Sequence, residues 1–333
     1  MGLFQYSFAG GGFLLIGAWE SYVAATEASR LPATAAHLHP PEPGTKSAGL
    51  SSSSAVTFLA VSVLSFLFIV NSVISISDAI AAKDPTGLAL QLEVIAISLL
   101  FFLYSVLGFA TCTTRALQLP RQILNLISLF AFAEEFLLFY LQRKDPSGVE
   151  NRYYNLFLVP ISICAFSTIL ELKTPNSNYP RLGLGVGLIL QGIWFLQMGF
   201  SFFTGMIAHG CSLHRRSRGN YTIKCDGHPA YHRGGAIATL QFNCHLALLV
   251  VLVSGVYSVV CRMNGIKGEA SRYRPLGAGV QHLEMGGSSS SHFTLDSDED
   301  DEDDEDDGGF KKEEKNLEMQ EMIQVTNGYH THG

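Results

Sequence analysis

Seven long apolar stretches constrain the fold of this chain more than any other feature. A hydrocarbon core about 30 Å thick is crossed by a helix of roughly 20 mainly apolar residues, and charged residues, prolines or glycine clusters bound each stretch. The stretches cover about residues 4–24, 55–80, 87–111, 122–142, 154–172, 182–205 and 235–261. They predict an all-α polytopic membrane protein, with a bundle of about seven transmembrane helices over residues 1–262. The number is six if the glycine-rich first stretch is re-entrant.

Composition agrees with a chain that lies mainly in lipid. Hydrophobic residues make up 47% of the sequence and charged residues only 15%, whereas soluble proteins carry about 25% charged residues. The first stretch lacks a basic leader and a small-residue cleavage site, so we expect a retained span rather than a cleaved signal peptide. Glycines in "AGGGF" and the pair Gly183 and Gly187 predict close packing between helices.

The C-terminal part of the chain, residues 263–333, has a different composition. It is rich in Gly and Ser, and eleven of the twelve residues 296–307 are acidic. Such a segment cannot bury enough apolar surface to fold, so we predict a disordered acidic tail. Removing those eleven charges from the net charge of −7 leaves +4 on the rest of the chain. The tail is either a solvated appendage or a binding surface for basic proteins or cations.

The distribution of basic residues bears on orientation and partners. Lys and Arg number ten on one side of the predicted spans and nine on the other, so their balance alone does not decide orientation. The first span has no basic residue before it and is followed by Arg30 and Lys46. This predicts an extracytosolic N-terminus and a cytosolic tail, in the plasma membrane or endomembranes. No basic patch is interleaved with aromatic residues, so nucleic acid is not an expected partner.

The sixth loop, "HGCSLHRRSRGNYTIKCDGHPAYHR" (residues 209–233), is the segment richest in reactive side chains outside the spans. One interpretation is a zinc site, because two Cys-x2-His pairs have ligand spacing. Its ligands are Cys211, His214, Cys225 and His228, with His232 as a spare nitrogen.

A second interpretation of the same loop applies if it faces an oxidising lumen. Cys211 and Cys225 then form a disulfide that closes a 15-residue loop. Asn220, in Asn220-Tyr221-Thr222, is then an N-glycosylation acceptor. The third interpretation is a solvated basic loop with free thiols.

Polar residues also occur deep inside the predicted spans. Glu134 and Glu135 lie about twelve residues into the fourth span, where a charge costs roughly 2.5–3.5 kcal/mol. Neighbours on a helix point about 100° apart, so the two carboxylates cannot share one face. Candidate partners lie in the sixth and seventh spans: Gln191, Trp194, Gln197, Gln241, Asn243 and His245. All but Asn243 recur at helical spacing within their span. The predicted cluster either holds helices together or handles a proton or ligand.

Three long motifs carry a family resemblance: "EEFLLFYLQRKDPSGVENRYYNLFLVPI", "LQGIWFLQMGFSFF" and "IATLQFNCHLALLV". With them, residues 1–262 resemble the transmembrane protein 45 family, also described as domain of unknown function 716, in its plant branch. Animal members are similar in the segment Q-G-x-W-F-x-Q-x-G-F and at Cys244 and His245. They carry extra histidines where this chain has "YLQRKDPSG", so the chain departs from them at Gln142.

The resemblance implies a multi-pass membrane protein of a family without an established biochemical activity. We therefore expect a non-enzymatic protein without a cofactor, whose partners are the bilayer and the ligands of its tail. The alternative is a proton-coupled transporter or carrier that uses Glu134 or Glu135 with His245. A bis-histidine haem protein needs two facing histidines, and His245 is the only one inside a predicted span. A rhodopsin-like receptor is disfavoured because neither D-R-Y nor N-P-x-x-Y occurs at its expected position.

Overall fold

A computed structural model describes residues 2–35, 47–114, 119–142, 148–175, 177–204 and 209–263. Within these ranges the chain forms seven helices and a two-stranded sheet. The elements are α1 (Leu3–Ala35), α2 (Ser47–Ala81), α3 (Pro85–Thr113), α4 (Arg121–Leu141), α5 (Glu150–Lys173), α6 (Tyr179–Phe203), β1 (Cys211–Ser217), β2 (Asn220–Cys225) and α7 (His228–Met263). The predicted tail from residue 264 onward, with its acidic run 296–307, lies outside the described residues.

Among the described helices, α2 to α7 are long and apolar enough to cross a membrane. The predicted all-α polytopic fold is therefore confirmed. α1 has 33 residues but is not among these six. It nevertheless runs the height of the bundle beside α6, because Tyr6 near its start contacts Phe202 and Glu20 farther along contacts Arg181.

The helices α1 to α6 surround a central space. α1 packs on α6, α6 on α5, α5 on α4, α4 on α3 and α3 on α2, and a smaller contact between α1 and α2 closes the ring. α7 lies outside it, against α5, α6 and α1. α6 is accordingly the most buried of the six apolar helices and α7 the most exposed.

Glycines set the close approach of α1 and α6. A Cβ atom on Gly10 would lie 2.7 Å from the carbonyl oxygen of Gly192, and one on Gly17 would lie 2.7 Å from that of Gly185. The two pairs are each seven residues apart on their helix, so they lie along one seam. Small residues let membrane helices pack backbone against backbone.

The predicted glycine pair lies on a different face of α6. Gly183 and Gly187 approach Ser167 and Cys164 of α5. α6 therefore uses glycine on two faces, which explains how it packs tightly between α1 and α5.

The sixth loop folds into a β-hairpin, which the sequence patterns do not predict. β1 and β2 pair antiparallel with Cys211 opposite Cys225, and these two cysteines form a disulfide. The zinc interpretation thereby lacks its two thiolates, and no group of three possible metal ligands occurs among the residues that the structure describes.

The hairpin covers one end of the bundle. The backbone N–H of Val149 donates to the carbonyl oxygen of Ile223 at 3.2 Å, and the N–H of Ile223 donates to Glu150 Oε2 at 2.8 Å. The ring of Tyr221 packs against Phe202 and Phe203 at the end of α6. The hairpin is therefore part of the folded unit rather than a free loop.

Candidate functional site

A cavity of about 830 Å³ lies inside the helix ring. α1 to α4, α6, one residue of α5 and the hairpin turn line it, and along α1 the lining extends from Gly2 to Glu20. At a rise of about 1.5 Å per residue, these two positions are about 27 Å apart. The cavity therefore runs over nearly the thickness of a hydrocarbon core.

The middle of the cavity is apolar. Its aromatic lining consists of Phe13, Phe68, Phe101, Phe132, Phe139 and Phe195. The rings of Phe13 and Phe195 are stacked with centroids 5.6 Å apart. Ser98 also lines this part, but its hydroxyl donates to the carbonyl oxygen of Val94 at 2.7 Å within α3. The middle therefore presents hydrocarbon and few free polar groups.

Glu135 brings a carboxyl group into this apolar lining. α4 turns Leu124, Ser128, Glu135 and Leu138 inward at helical spacing. Glu135 is 5% exposed, and its Oε2 has no hydrogen-bond partner among the described residues. The cavity lining thus includes a buried carboxyl oxygen without a hydrogen-bond partner in the described part of the chain.

Two buried side chains lie beside Glu135, namely Gln191 and Cys164. The amide of Gln191 donates to Cys164 Sγ at 3.8 Å, while its Oε1 has no partner in the described part of the chain. Glu134 is half-buried, does not line the cavity and lies near Glu93 of α3. The adjacent carboxylates therefore do face different surroundings.

The other members of the predicted polar cluster do not line the cavity. Trp194 is fully buried, and its Nε1 donates to the carbonyl oxygen of Tyr153 at 3.0 Å. The hydroxyl of Tyr153 donates to Gln241 Oε1 at 3.3 Å. The ring of His245 lies 6.3 Å from that of Trp194 between centroids, with its Nδ1 2.7 Å from the carbonyl oxygen of Gln241. These residues connect α5, α6 and α7.

The last two residues of the predicted cluster are Gln197 and Asn243. Gln197 donates to Ser201 Oγ at 3.1 Å, one turn along the same helix. Asn243 is exposed on α7. The set predicted as one cluster is therefore divided, with Glu135 and Gln191 together and His245 separate from them.

At the hairpin end, the cavity is bounded by the turn residues Arg218 and Gly219. The backbone N–H of Arg218 donates to Asp78 Oδ2 at 2.7 Å, whereas its half-buried side chain makes no hydrogen bond or ion pair with a described residue. Gln91 of α3 is 2% exposed and its Oε1 lacks a partner there. A Cβ atom at Gly219 would collide with the amide of Gln91, so glycine permits this approach.

Asp84 fixes the hairpin turn to the start of α3. Its carboxylate accepts hydrogen bonds from Asn220 Nδ2 at 2.8 Å, from Ser217 Oγ at 2.8 Å and from the N–H of Gly87 at 3.1 Å. Asp84 is the N-cap of α3 and Pro85 follows it. Burial acts to raise the pKa of Asp84, but the hydrogen bonds from Asn220, Gly87 and Ser217 outweigh it and lower the pKa below its ordinary value.

The same contacts decide the accessibility of the predicted glycosylation acceptor. Asn220 is 9% exposed, and its Nδ2 donates to both carboxylate oxygens of Asp84. In the folded protein this amide is therefore occupied and shielded. Its neighbour Tyr221 is buried too, and burial raises the pKa of Tyr221 well above its ordinary value.

Paired charges bound the opposite end of the cavity. Arg181 Nε lies 2.6 Å from Glu20 Oε2, and its Nη1 lies 3.0 Å from Glu27 Oε1. Thr57 of α2 donates to Glu20 as well. Arg121 of α4 pairs with Glu171 of α5 at 2.9 Å. The buried charge of Arg181 needs such compensation, whereas Arg121 is exposed. Both arginines at this end already have partners.

The cavity opens sideways between α1 and α2. Phe4 is 81% exposed and Phe8 and Leu67 are exposed as well, yet all three line the cavity. Gln5 donates to Asn71 of α2 near this opening. A molecule dissolved in the bilayer therefore has a lateral route into the bundle.

Residues 121–258 match a family of unknown function, DUF716. Over this segment the chain is similar to DUF716 proteins. The match confirms the family predicted from the motifs, whereas the plant branch stays a prediction. No curated protein matches the chain.

The DUF716 segment supplies only part of the cavity. It contains Glu135 and Arg218, while Gln91, Asp84 and Glu20 precede it. The full site therefore needs α1 to α3 in addition to the matched segment.

Several residues around the cavity were not singled out from the sequence. Glu20 interrupts the first apolar stretch and Arg181 immediately precedes the sixth, and a search for opposite charges at matching depths would have found them. Asp84 before Pro85 is a helix-start signal, but nothing near it in sequence indicates Asn220 as its partner. Gln91 carries no sequence signal that separates it from other polar residues near a span end.

Proposed function

We propose that this protein is a non-enzymatic membrane protein that binds a single-chain amphiphile of lipid type inside its bundle. The observation that carries the proposal is the long cavity with an apolar middle and polar groups at both ends. Ligand pockets typically measure about 300–1,000 Å³ and combine a mainly apolar lining with a few polar groups. A polar head and one hydrocarbon chain match that distribution.

The lateral opening supports access from the bilayer. Phe4, Phe8 and Leu67 are in contact with both the outer surface and the cavity. A lipid-soluble ligand then does not have to pass through water to reach the site. This favours a ligand that is already dissolved in the membrane.

The disulfide supports an orientation for the proposal. Disulfides persist in oxidising compartments, and the hairpin that contains Cys211 and Cys225 lies at the same end of the bundle as Tyr6 near the N-terminus. We therefore propose an extracytosolic N-terminus in the plasma membrane or endomembranes. The acidic run 296–307 would then bind basic proteins or cations in the cytosol.

A cavity-filling variant tests ligand binding. Ser98→Phe places a ring into the cavity from α3, whereas Ala96→Phe places the same ring on the exposed side of that helix. Full-length protein is incubated with a palmitoyl lipid that carries a diazirine, irradiated and analysed by mass spectrometry. We expect wild type and Ala96→Phe to be labelled on cavity peptides and Ser98→Phe to lose that labelling. Equal labelling of a folded Ser98→Phe protein contradicts the proposal.

A second candidate function, a proton-coupled carrier, is favoured by one observation. The buried carboxyl group of Glu135 has an unpartnered oxygen in the cavity, and such groups inside membranes often belong to proton pathways. His245 takes no part in this candidate, because it does not line the cavity. Glu135→Gln in proteoliposomes should abolish pH-driven movement of the lipid and retain its binding, with Glu134→Gln as the control. Unchanged movement in Glu135→Gln excludes this candidate.

A further inference from the structure

We infer that the hairpin end of the cavity binds the anionic headgroup, a carboxylate or a phosphate, of a single-chain amphiphile through Arg218 and Gln91. The inference rests on the proposed function and adds the chemistry of the head and the direction of the chain. The hydrocarbon chain extends from the hairpin turn into the aromatic middle of the cavity.

Arg218 differs from the other arginines at the cavity. Of the three arginines that line it within the described residues, Arg181 is paired with Glu20 and Glu27, and Arg121 is paired with Glu171. The side chain of Arg218 forms no ion pair in the same part of the chain. A guanidinium group binds carboxylate or phosphate through two parallel hydrogen bonds, and at Arg218 this capacity is unused.

The carboxylates near Arg218 are already engaged by other donors. Asp78 accepts from the backbone N–H of Arg218. Asp84 accepts from Asn220, Ser217 and Gly87. The contact to Asp78 holds the backbone of the turn, and those to Asp84 hold the side chains of Ser217 and Asn220 on either side of it. Neither uses the guanidinium group, which is left for an incoming anion.

Gln91 provides a second, independent indication of a ligand. Its side chain is almost fully buried beside Gly219, lines the cavity and has an oxygen without a partner among the described residues. A buried polar group without a partner is destabilising, so a ligand that supplies the partner is favoured. The unpaired atom of Gln91 is an acceptor, so it can accept from a hydroxyl of the head while Arg218 binds the anionic group.

The position of Arg218 agrees with a headgroup site. The residue belongs to the hairpin turn, outside the helices that are apolar enough to cross a membrane. An amphiphile places its head at the membrane boundary and its chain in the core. The cavity is about 27 Å long along α1, which accommodates an extended acyl chain.

Three ligands with the same chain test the headgroup assignment. Purified full-length protein in neutral detergent at pH 8 is titrated with palmitate, palmitoyl lysophosphatidate or monopalmitoyl glycerol. The variants are Arg218→Gln, which keeps the backbone contact to Asp78, and Arg216→Gln as the matched control, an exposed arginine outside the lining. We expect at least one anionic ligand to bind wild type roughly tenfold more tightly than the neutral one.

Arg218→Gln should remove this preference and leave binding of the neutral ligand unchanged, while Arg216→Gln keeps the preference. Comparison of palmitate with lysophosphatidate then identifies which anion is the source of the preference. Equal affinities for all three ligands in wild type overturn the headgroup assignment and leave the proposed function standing. Equal effects of the two substitutions, or loss of neutral-ligand binding in Arg218→Gln, also overturn the headgroup assignment and leave the proposed function standing. If no ligand binds wild type, the proposed function itself fails.

Discussion

At the residue scale, Asp84 links two parts of the chain that are far apart in sequence. Asn220 and Ser217 of the hairpin and Gly87 of α3 donate to one carboxylate. Hydrogen bonds to a buried charge contribute more than those between neutral groups, because the charge has lost its water. The attachment of the hairpin to the bundle therefore depends on an ionised Asp84.

Replacing that carboxylate should loosen the hairpin. Asp84→Asn turns one acceptor into an amide NH2 group that faces the donors of Asn220 and Gly87, so we expect a loss of about 2–3 kcal/mol in the free energy of unfolding. Thermal unfolding of the purified protein measures the effect. Asp226→Asn, at an exposed carboxylate of the same loop, is the control. Equal melting temperatures for the two variants would contradict this role.

The pKa of Asp84 gives the sign of a pH dependence. Although burial acts to raise it, the hydrogen bonds to Asp84 lower the pKa of the folded state below the unfolded value of about 3.9. The stabilisation is then complete above pH 4 and is lost as the pH falls through the folded pKa. We expect proteolytic cleavage of the hairpin to increase below about pH 4 in wild type, and to change less in Asp84→Asn. That variant isolates Asp84 from Asp78 and Glu150, which also accept hydrogen bonds from the hairpin.

Asn220 should not carry a glycan in the folded protein. Its amide is buried and donates to Asp84, so treatment with a glycosidase should cause no mobility shift. As a positive control, Ser212→Asn with His214→Thr creates an acceptor at exposed positions of the same hairpin. A shift for that double variant and none for wild type is the expected result. A shift in wild type that Asn220→Gln abolishes would show that the acceptor is used.

At the element scale, the packing of α1 on α6 depends on individual glycines. Gly10→Ala puts a methyl group against the carbonyl oxygen of Gly192, whereas the adjacent Gly11 has no atom within 4 Å of such a group. We expect Gly10→Ala to cost about 1–3 kcal/mol through overpacking and Gly11→Ala to be neutral or slightly stabilising. Melting temperatures of the two variants compare them directly. Equal destabilisation would indicate that the seam does not set the approach of the helices.

The elements differ in how far their sequence predicts them. The helices are predictable, because in lipid the backbone of about 20 consecutive apolar residues can form hydrogen bonds only within its own helix. The hairpin is not, because β1 is mostly polar and exposed; its strands depend on the disulfide, on Glu150 and on Asp84. α1 is intermediate, since its glycines both lower its hydropathy and make it fit α6.

For the candidate site, the sequence indicated only that a polar residue lies deep within the membrane. Glu135 was identified because a carboxyl group in an apolar span is unusual. Its neighbour was not identified. Gln191 and His245 are both polar residues on later helices, and no local sequence pattern indicates which of them lies beside Glu135. Arg218 and Gln91 come together through the hairpin, which depends on long-range contacts.

At the scale of the whole molecule, the hairpin and the N-terminus belong to the same side of the membrane. Tyr6 and Tyr221 are in contact through their hydroxyl groups, and α7 leads from the hairpin to the other end of the bundle. We expect a membrane-impermeant amine reagent to label Lys224, an exposed hairpin lysine, on intact cells. A protease added outside should leave an epitope tag at the C-terminus intact. Cleavage of the C-terminal tag by the external protease, with Lys224 labelled only after permeabilisation, would reverse the proposed orientation.

The buried pair of Glu20 and Arg181 has a consequence for biosynthesis. The two residues are 161 positions apart. At a synthesis rate of about 5–20 residues per second, Arg181 is therefore synthesised roughly 10–30 s after Glu20. During that interval α1 lacks both the counter-charge of Arg181 and the glycine-containing face of α6 against which it packs. The nascent chain therefore has to retain this helix beside the insertion machinery, and ribosome-arrested chains that end before Tyr179 should cross-link there while longer ones are released.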